Sequence, residues 1–192
     1  MAGSNPHEAF ENFRRPLQRA IGCVANPSVV FWAQSSDGYT PGLQHVLSFN
    51  DGEPVFFRGK RRIGLSSFFW HRVVRAEGER GEWKIRTTAY YHTLEDENRQ
   101  EIIAYHWHPE QPGPISFPHL HLGIGIGAEL GEIYKAHIPT GRVSLEDVIW
   151  LAIRDFGVEP QRDDWQEVLS ETRERFEQWR TWGGSGPRPE EE

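Results

Sequence analysis

Apolar and polar side chains alternate along several stretches between residues 29 and 127. This period of two is typical of β-strands that bury one face. Short connections between successive strands favour antiparallel neighbours, so this region is predicted to form a β-meander. The clearest strands are predicted at residues 67–75, 83–93 and 101–108, joined by turns at residues 78–81 and 95–100.

After Thr140 the period changes to about 3.6 residues, which predicts two helices at about residues 144–157 and 164–182. Ser144 with an aspartate three residues later is a variant of the capping box that opens helices, and Gly157 is a typical helix stop. The apolar stripes of both helices are expected to cover the apolar face of the sheet.

These patterns together predict the fold class α+β. The chain is expected to form a single domain over residues 1–182, with a mostly antiparallel sheet at about residues 29–127 and the two C-terminal helices packed on one face. Residues 183–192 are rich in glycine, proline and glutamate, so they are predicted to form a disordered acidic tail.

The N-terminal third allows fewer predictions. Asn50-Asp-Gly lies between two apolar runs and is a strong signal for a two-residue β-hairpin turn, because Asp-Gly readily adopts positive φ angles. Residues 29–32 are a candidate further strand. The structure type of residues 10–17 is left open, with Pro16 expected to end any helix at or before the preceding turn.

Composition narrows the function classes. With 192 residues, the chain is long enough for one domain with a hydrophobic core. Cys23 is the single cysteine, which excludes an intrachain disulfide and a cysteine-based zinc site. No segment approaches the roughly 20 uninterrupted apolar residues that span a membrane, so a soluble, cytoplasmic protein without a membrane partner is expected.

Charge is distributed unevenly along the chain. The formal net charge of −7 argues against sequence-independent binding to duplex nucleic acid. Basic residues are nevertheless concentrated between residues 58 and 86, whereas acidic residues dominate after Asp155. A local basic face therefore remains compatible with the sequence.

The strongest candidates for a chemical site are two His-x-His motifs, His106-Trp-His108 and His119-Leu-His121. Side chains two residues apart on a strand share a face, and burying the apolar faces of both strands together places all four imidazoles on one side. Antiparallel pairing of His106 with His121, and of His108 with His119, satisfies this pattern with residues 109–118 as the loop. Structural roles are expected for the isolated histidines, His7, His45, His71, His92 and His137.

The strand at residues 83–93 adds polar groups to the same face. Strict alternation separates Lys84, Arg86 and Tyr90 from the apolar side chains of this strand. Pairing with the strand at residues 101–108 then places Arg86 and Tyr90 beside the first His-x-His motif. Imidazoles can act as acid and base, arginine and lysine can hold a phosphate, and tyrosine can stack on a base.

This inventory favours hydrolysis of a phosphodiester, with RNA as the favoured substrate and no cofactor. In this hypothesis the catalytic residues are His106, His108, His119 and His121, and the substrate-binding residues are Lys84, Arg86 and Tyr90. A second hypothesis is a metalloenzyme, in which the same histidines bind a transition metal such as zinc. A third is a non-enzymatic module that binds a protein or ligand through this face.

Four motifs follow one another between residues 50 and 122. The motifs are Asp51-Gly-Glu, Ala89-Tyr-Tyr-His-Thr, Ile102-Ile-Ala-Tyr-His-Trp-His-Pro and Phe117-Pro-His-Leu-His, and their order resembles that of TumE-type toxins of prokaryotic toxin–antitoxin systems. Those toxins are small α+β proteins. The resemblance implies a growth-inhibiting protein that acts on RNA and is neutralised by a small antitoxin. The chain departs from the family where Ala104-Tyr-His-Trp replaces an Arg-Tyr-Asp-type motif.

Overall fold

The computed structural model describes residues 2–26, 28–33, 37–76, 81–110, 115–123 and 135–179. Within these residues, nine strands form one sheet, and three helices share a hydrophobic cluster with it. The strands are β1 Ala2–Gly3, β2 Trp32–Ala33, β3 Gln44–Ser48, β4 Val55–Phe56, β5 Gly64–Arg75, β6 Trp83–Glu95, β7 Glu101–Trp107, β8 His119–Leu122 and β9 Ile138–Pro139. The helices are α1 Pro6–Ile21, α2 Leu145–Arg154 and α3 Trp165–Trp179.

The sheet is built around two long strands, β5 and β6, which pair along most of their length. Its order is β2-β3-β5-β6-β7-β8-β9, with β1 also beside β6 and β4 beside β5, and every pair is antiparallel. The predicted α+β class, with an antiparallel meander and two C-terminal helices, is therefore confirmed. The sheet is wider than residues 29–127, because β1 and β9 also pair into it.

The two faces of the sheet have different surroundings. On the core face, side chains such as Leu65 and Phe69 of β5 and Leu94 of β6 are buried in the hydrophobic cluster that the helices complete. The opposite face, called the open face here, carries the alternate residues of each strand, including Trp70 and Tyr91, which lie outside that cluster. This division positions the candidate site.

Helix α1 continues through Pro16, so the prediction that this proline ends a helix was wrong. Proline in a helix interior removes one backbone hydrogen bond and costs about 3 kcal/mol. Burial of one face of α1 offsets that cost. Asn5 also stabilises the start of the helix, because its Oδ1 accepts a hydrogen bond from the Glu8 N–H at 2.9 Å. The buried residues are Ala9, Phe10, Phe13, Pro16, Leu17, Ala20 and Ile21.

The turn at Asn50–Gly52 is a short 3-10 turn, and the predicted hairpin was wrong. Asn50 and Asp51 do adopt positive φ angles, of 48° and 55°. The strands on either side, β3 and β4, each pair with β5. Local sequence therefore determined the backbone angles, while the long strand β5 decided the pairing. The strand predicted at residues 29–32 overlaps β2 only at Trp32.

The C-terminal helices agree with the sequence pattern to within a few residues. The capping box is present, since Ser144 Oγ accepts from the Asp147 N–H at 3.1 Å and the Ser144 N–H donates to Asp147 Oδ2 at 3.0 Å. Gly157 follows α2 with a φ of 73°. No helix in the described ranges is long and apolar enough to cross a membrane. The predicted tail, the end of the last helix, most of the turn at residues 78–81 and residues 124–127 lie outside the described residues.

Candidate metal centre

The first His-x-His motif lies at the end of β7, with His108 one residue beyond it, and the second opens β8; the two strands pair as antiparallel neighbours. His106 is opposite His119, and Ala104 is opposite His121. The predicted pairing of His106 with His121, and of His108 with His119, was wrong by a shift of two residues. Hydrophobic alternation cannot distinguish these registers, because side-chain direction repeats every two residues. The same periodicity keeps the histidines on one face, as predicted.

Three of these histidines converge. One ring nitrogen each of His106, His119 and His121 lies within 4.8 Å of the other two. Three imidazole nitrogens bound to one zinc ion at 2.0–2.1 Å in tetrahedral geometry lie about 3.4 Å apart, so small side-chain rotations suffice to bind a metal. Among the residues described, no other group of three or more His, Cys, Asp or Glu side chains has this spacing. We call these three residues the histidine triad.

The backbone fixes the orientation of His119. Its Nδ1 lies 2.9 Å from the carbonyl oxygen of Phe117, and because a carbonyl only accepts, Nδ1 carries the proton. Its Nε2 therefore carries the lone pair in the neutral ring. This atom is buried and has no hydrogen-bond partner in the described part of the chain. Metal-binding histidines typically have this arrangement, with one nitrogen bonded to a carbonyl and the other bonded to the metal.

Two further histidines flank the triad. The ring of His108 lies 5.3 Å from that of His119. The ring of His137, immediately before β9, lies 4.6 Å from that of His121. The expectation of an ordinary structural role overlooked His137, because its position depends on the pairing of β9 with β8. Pro139 is opposite His119, and alternation then directs His137 to the same face.

Burial and mutual proximity keep the triad uncharged at neutral pH. The pKa of His106 is lowered to about 3 and that of His121 to about 4, first by burial and then by the neighbouring imidazoles. The pKa of His119 is also lowered, again mainly by burial. Metal ligation requires the neutral imidazole, whereas a general acid must be protonated near the working pH. The electrostatics of the triad therefore suit a ligand set better than a metal-free acid.

A β-bulge changes which side chains of β6 share the open face with the triad. Trp70 of β5 pairs with Ala89, and His71 pairs with Thr87, so Thr88 is one extra residue on β6. The alternation of side chains changes phase at such a bulge. Strict alternation along residues 83–93, which the sequence analysis assumed, is therefore wrong beyond Thr88.

The predicted placement of Tyr90 beside the histidines was wrong for this reason. Tyr90 lies on the core face, is 2% exposed, and accepts a hydrogen bond on its hydroxyl from the Val143 N–H at 3.0 Å. Tyr91 takes the position on the open face, where its ring centroid lies 4.5 Å from that of His106. The ring of His108 also stacks on Tyr91, with an interplanar angle of 9°. Tyr91 is thus the tyrosine in contact with the candidate site.

Lys84 and Arg86 precede the bulge and lie on the open face, as predicted. Arg86 is opposite Arg72 of β5. It is separated from Tyr91 by about 16 Å along the strand, at roughly 3.3 Å per residue. The prediction that Arg86 lies directly beside the His-x-His motif was therefore wrong. These cations share the face of the histidine triad at a distance from it.

Comparison with protein-family models, with curated proteins and with solved structures finds no significant match for this chain. The resemblance to TumE-type toxins therefore stays a prediction from the sequence.

Proposed function

We propose that this chain is a metal-dependent hydrolase in which His106, His119 and His121 bind a transition metal ion such as Zn²⁺. The observation that carries the proposal is the convergence of three imidazole nitrogens within 4.8 Å. The buried Nε2 of His119, with its lone pair left by the Phe117 hydrogen bond, supports it. Catalytic zinc sites commonly combine three protein ligands with one open position for water or substrate.

Each residue of the triad has a role that follows from its position. His119 is the pre-oriented ligand, because the carbonyl of Phe117 holds its Nδ1–H. His106 and His121 complete the set from the two paired strands. A bound zinc ion would lower the pKa of its water toward 7 and so supply a nucleophile at neutral pH. His137 is exposed beside His121, at the edge of the proposed ligand set.

The proposed substrate is a phosphodiester, and RNA is the favoured polymer. Lys84, Arg86 and Arg72 lie on the open face with the triad and can attract an anionic chain. In the hydrolysis step the water oxygen bonds to phosphorus, one P–O ester bond breaks, and the leaving oxygen takes up a proton. Because Lys84, Arg86 and Arg72 lie at a distance from the triad, they would hold phosphates of the chain outside the reacting group.

The metal-free route considered for the same reaction requires one protonated imidazole as the general acid. Because the pKa values of His106 and His121 lie at about 3 and 4, both rings are neutral at pH 7. We favour the metal route because three ring nitrogens converge within 4.8 Å, the arrangement of a metal ligand set. Cleavage that survives removal of all metal would contradict this choice.

The decisive experiment measures metal content and RNA cleavage on the same preparation. Protein without a histidine tag is purified, its zinc content is determined by mass spectrometry, and cleavage of total RNA is followed with and without EDTA. We expect about one metal ion per chain and cleavage that EDTA abolishes and added Zn²⁺ restores. One bound metal without cleavage would indicate a ligand-binding module.

A matched pair of variants assigns the effect to the triad. His119→Ala/His121→Ala removes two proposed ligands, and we expect loss of both metal and cleavage. His7→Ala removes an exposed histidine on α1 and should retain both. Circular dichroism of each variant establishes that it folds. Metal binding retained by the double variant would exclude the histidine triad as the metal centre.

The toxin-like role implied by the resemblance to TumE-type toxins is a separate proposal. It is supported by the order of motifs over residues 50–122 and by the nuclease chemistry proposed above. Induced expression in a bacterial host should arrest growth, and His119→Ala/His121→Ala should relieve the arrest. Equal growth with and without induction would contradict a toxin, and with it the need for an antitoxin partner.

A further inference from the structure

A row of aromatic rings crosses the open face and leads into the candidate metal centre. Ring centroids lie 5.7 Å apart between Phe68 and Trp70, 5.1 Å between Trp70 and Tyr91, and 4.5 Å between Tyr91 and His106. The first three rings are half-buried and lie outside the hydrophobic cluster that the helices complete. Contiguous half-buried rings that do not belong to the hydrophobic cluster indicate a binding surface.

Positive charge lies at the Trp70 end of this aromatic row. Arg72 follows Trp70 by two residues on the same face of β5, about 7 Å along the strand at roughly 3.3 Å per residue. Arg86 is opposite Arg72, and Lys84 is two residues farther along β6 on the same face. Planar apolar rings next to cations match the two chemical parts of a nucleic acid, its bases and its phosphates.

The contact between Arg72 and Glu110 is compatible with phosphate binding by Arg72. Their charged groups are 3.6 Å apart, and both side chains are more than 40% exposed. Ion pairs at such exposed positions contribute little to stability. A phosphate can therefore replace the Glu110 carboxylate at Arg72 without a large loss in folding free energy.

From these observations we infer that single-stranded RNA docks across the open face. Its bases stack on Trp70, its phosphates contact Arg72 and Arg86, and the strand continues along the aromatic row to the histidine triad. Duplex nucleic acid is excluded as the occupant, because paired bases cannot stack on protein rings. The inference rests on the proposed function and names the form in which its substrate binds.

Binding is measured separately from cleavage. A 5′-labelled RNA of about 12 nucleotides, within the usual size range of single-strand sites, is titrated with the full chain in EDTA, and fluorescence anisotropy is recorded. Trp70→Ala should weaken binding about tenfold, because loss of one stacked base costs about that factor. Trp70→Phe should retain most of the affinity.

Trp83→Ala is the matched control. Trp83 is also half-buried, lies on the same hairpin and has the guanidinium of Arg75 over its ring at 4.2 Å, but it projects on the opposite face. Its removal should leave RNA affinity unchanged. Equal losses for Trp70→Ala and Trp83→Ala, in variants that are folded by circular dichroism, would overturn the inference.

The salt dependence tests the cationic part of the surface. Arg72→Ala and Arg86→Ala should each lower the slope of log K against log salt by about 0.7, the value for one phosphate contact on a single strand. Arg75→Ala on the opposite face should leave the slope unchanged. An unchanged slope in all three variants would overturn the assignment of phosphate contacts to Arg72 and Arg86.

Two competitor strands complete the test. Duplex RNA should bind at least tenfold more weakly than the single strand, and single-stranded DNA that binds as tightly as RNA would overturn the assignment to RNA. RNA binding in EDTA without metal-dependent cleavage would sustain the docking surface while contradicting the proposed function. Metal binding by a chain that binds no RNA would sustain the metal centre while contradicting both the docking surface and RNA as the substrate.

Discussion

Histidines lie on both faces of the sheet, and the two groups differ in their surroundings. His45, His71 and His92 lie on the core face and are at most 1% exposed. Each has a hydrogen bond of 2.9 Å to a group of its own surroundings, namely the Thr40 carbonyl, the Gly38 carbonyl and the Ser67 hydroxyl, respectively. On the open face, by contrast, the histidine triad brings three ring nitrogens within 4.8 Å of one another.

A lowered pKa does not distinguish the two groups. Burial lowers the pKa of His71 to about 4 and that of His92 to about 3, which matches the values for His106 and His121. What differs is convergence. The core-face rings pack against apolar rings, as His71 does on Phe10 at 5.7 Å, and they serve as hydrogen-bonded core residues. Convergence of the ring nitrogens, rather than a lowered pKa, distinguishes the candidate site.

The largest expected effect is on the free energy of unfolding, and its size should differ between the two faces. His71→Ala removes a fully buried ring and its hydrogen bond, so we expect the free energy of unfolding to fall by about 3 kcal/mol. His121→Ala on the open face should lower it by about 1 kcal/mol or less in metal-free protein. Urea denaturation in EDTA measures both values. Equal losses would remove the structural distinction between the groups.

Stabilisation by added zinc should depend on the open-face histidines and not on the core-face histidines. A ligand that binds only the folded state at 100 times its Kd stabilises by about 2.7 kcal/mol. We expect this gain for the wild-type chain and for His92→Asn, whose substitution lies on the core face, but not for His121→Ala. Thermal unfolding with and without Zn²⁺ provides the comparison. A zinc-dependent rise in Tm that His121→Ala retains would place the metal elsewhere.

The pH dependence of stability should reveal the buried core-face rings. The pKa of His92 is about 3 in the folded chain against an ordinary value of 6.5, so between these values only the unfolded chain takes up the proton. The free energy of unfolding is therefore highest above about pH 6.5 and falls as the pH decreases toward 3. Each such histidine contributes at most about 1.4 kcal/mol per pH unit. Urea titrations from pH 7 to 5 should show a shallower slope for His92→Asn, and an unchanged slope would contradict burial as the cause.

The smallest expected effect concerns one hydrogen bond on the core face. Ser67→Ala leaves Nδ1 of buried His92 without its partner at 2.9 Å, which should cost about 1 kcal/mol. Zinc affinity should be unchanged, because Ser67 lies on the face opposite the triad. Denaturation together with zinc titration checks both statements. A weakened zinc affinity would show that the two faces are coupled.

Much of the fold followed from patterns that are local in the chain. The helix at Leu145–Arg154 was predictable because its capping box and its apolar stripe are set by residues three and four positions apart. Helix α1 was not, since packing of its apolar face outweighs the intrinsic cost of Pro16. The turn at Asn50 similarly has the predicted backbone angles without the predicted hairpin.

The candidate site likewise combines features that the local sequence determines with features that strand pairing decides. That the two His-x-His motifs share one face was determined by the sequence alone, because side-chain direction on a strand depends only on the local backbone. Which histidine lies opposite which was decided by strand pairing, since registers that differ by two residues bury the same apolar side chains.

Three further features of the site required the tertiary structure. The bulge at Thr88 exchanges Tyr90 for Tyr91 on the open face, because β5 opposes two residues of β6 with one at this point. His137 joins the cluster only because β9 pairs with β8. The convergence of His106, His119 and His121 likewise depends on contacts between strands. Local alternation therefore determined which face carries the chemistry, and the long-range pairing of strands decided which side chains meet there.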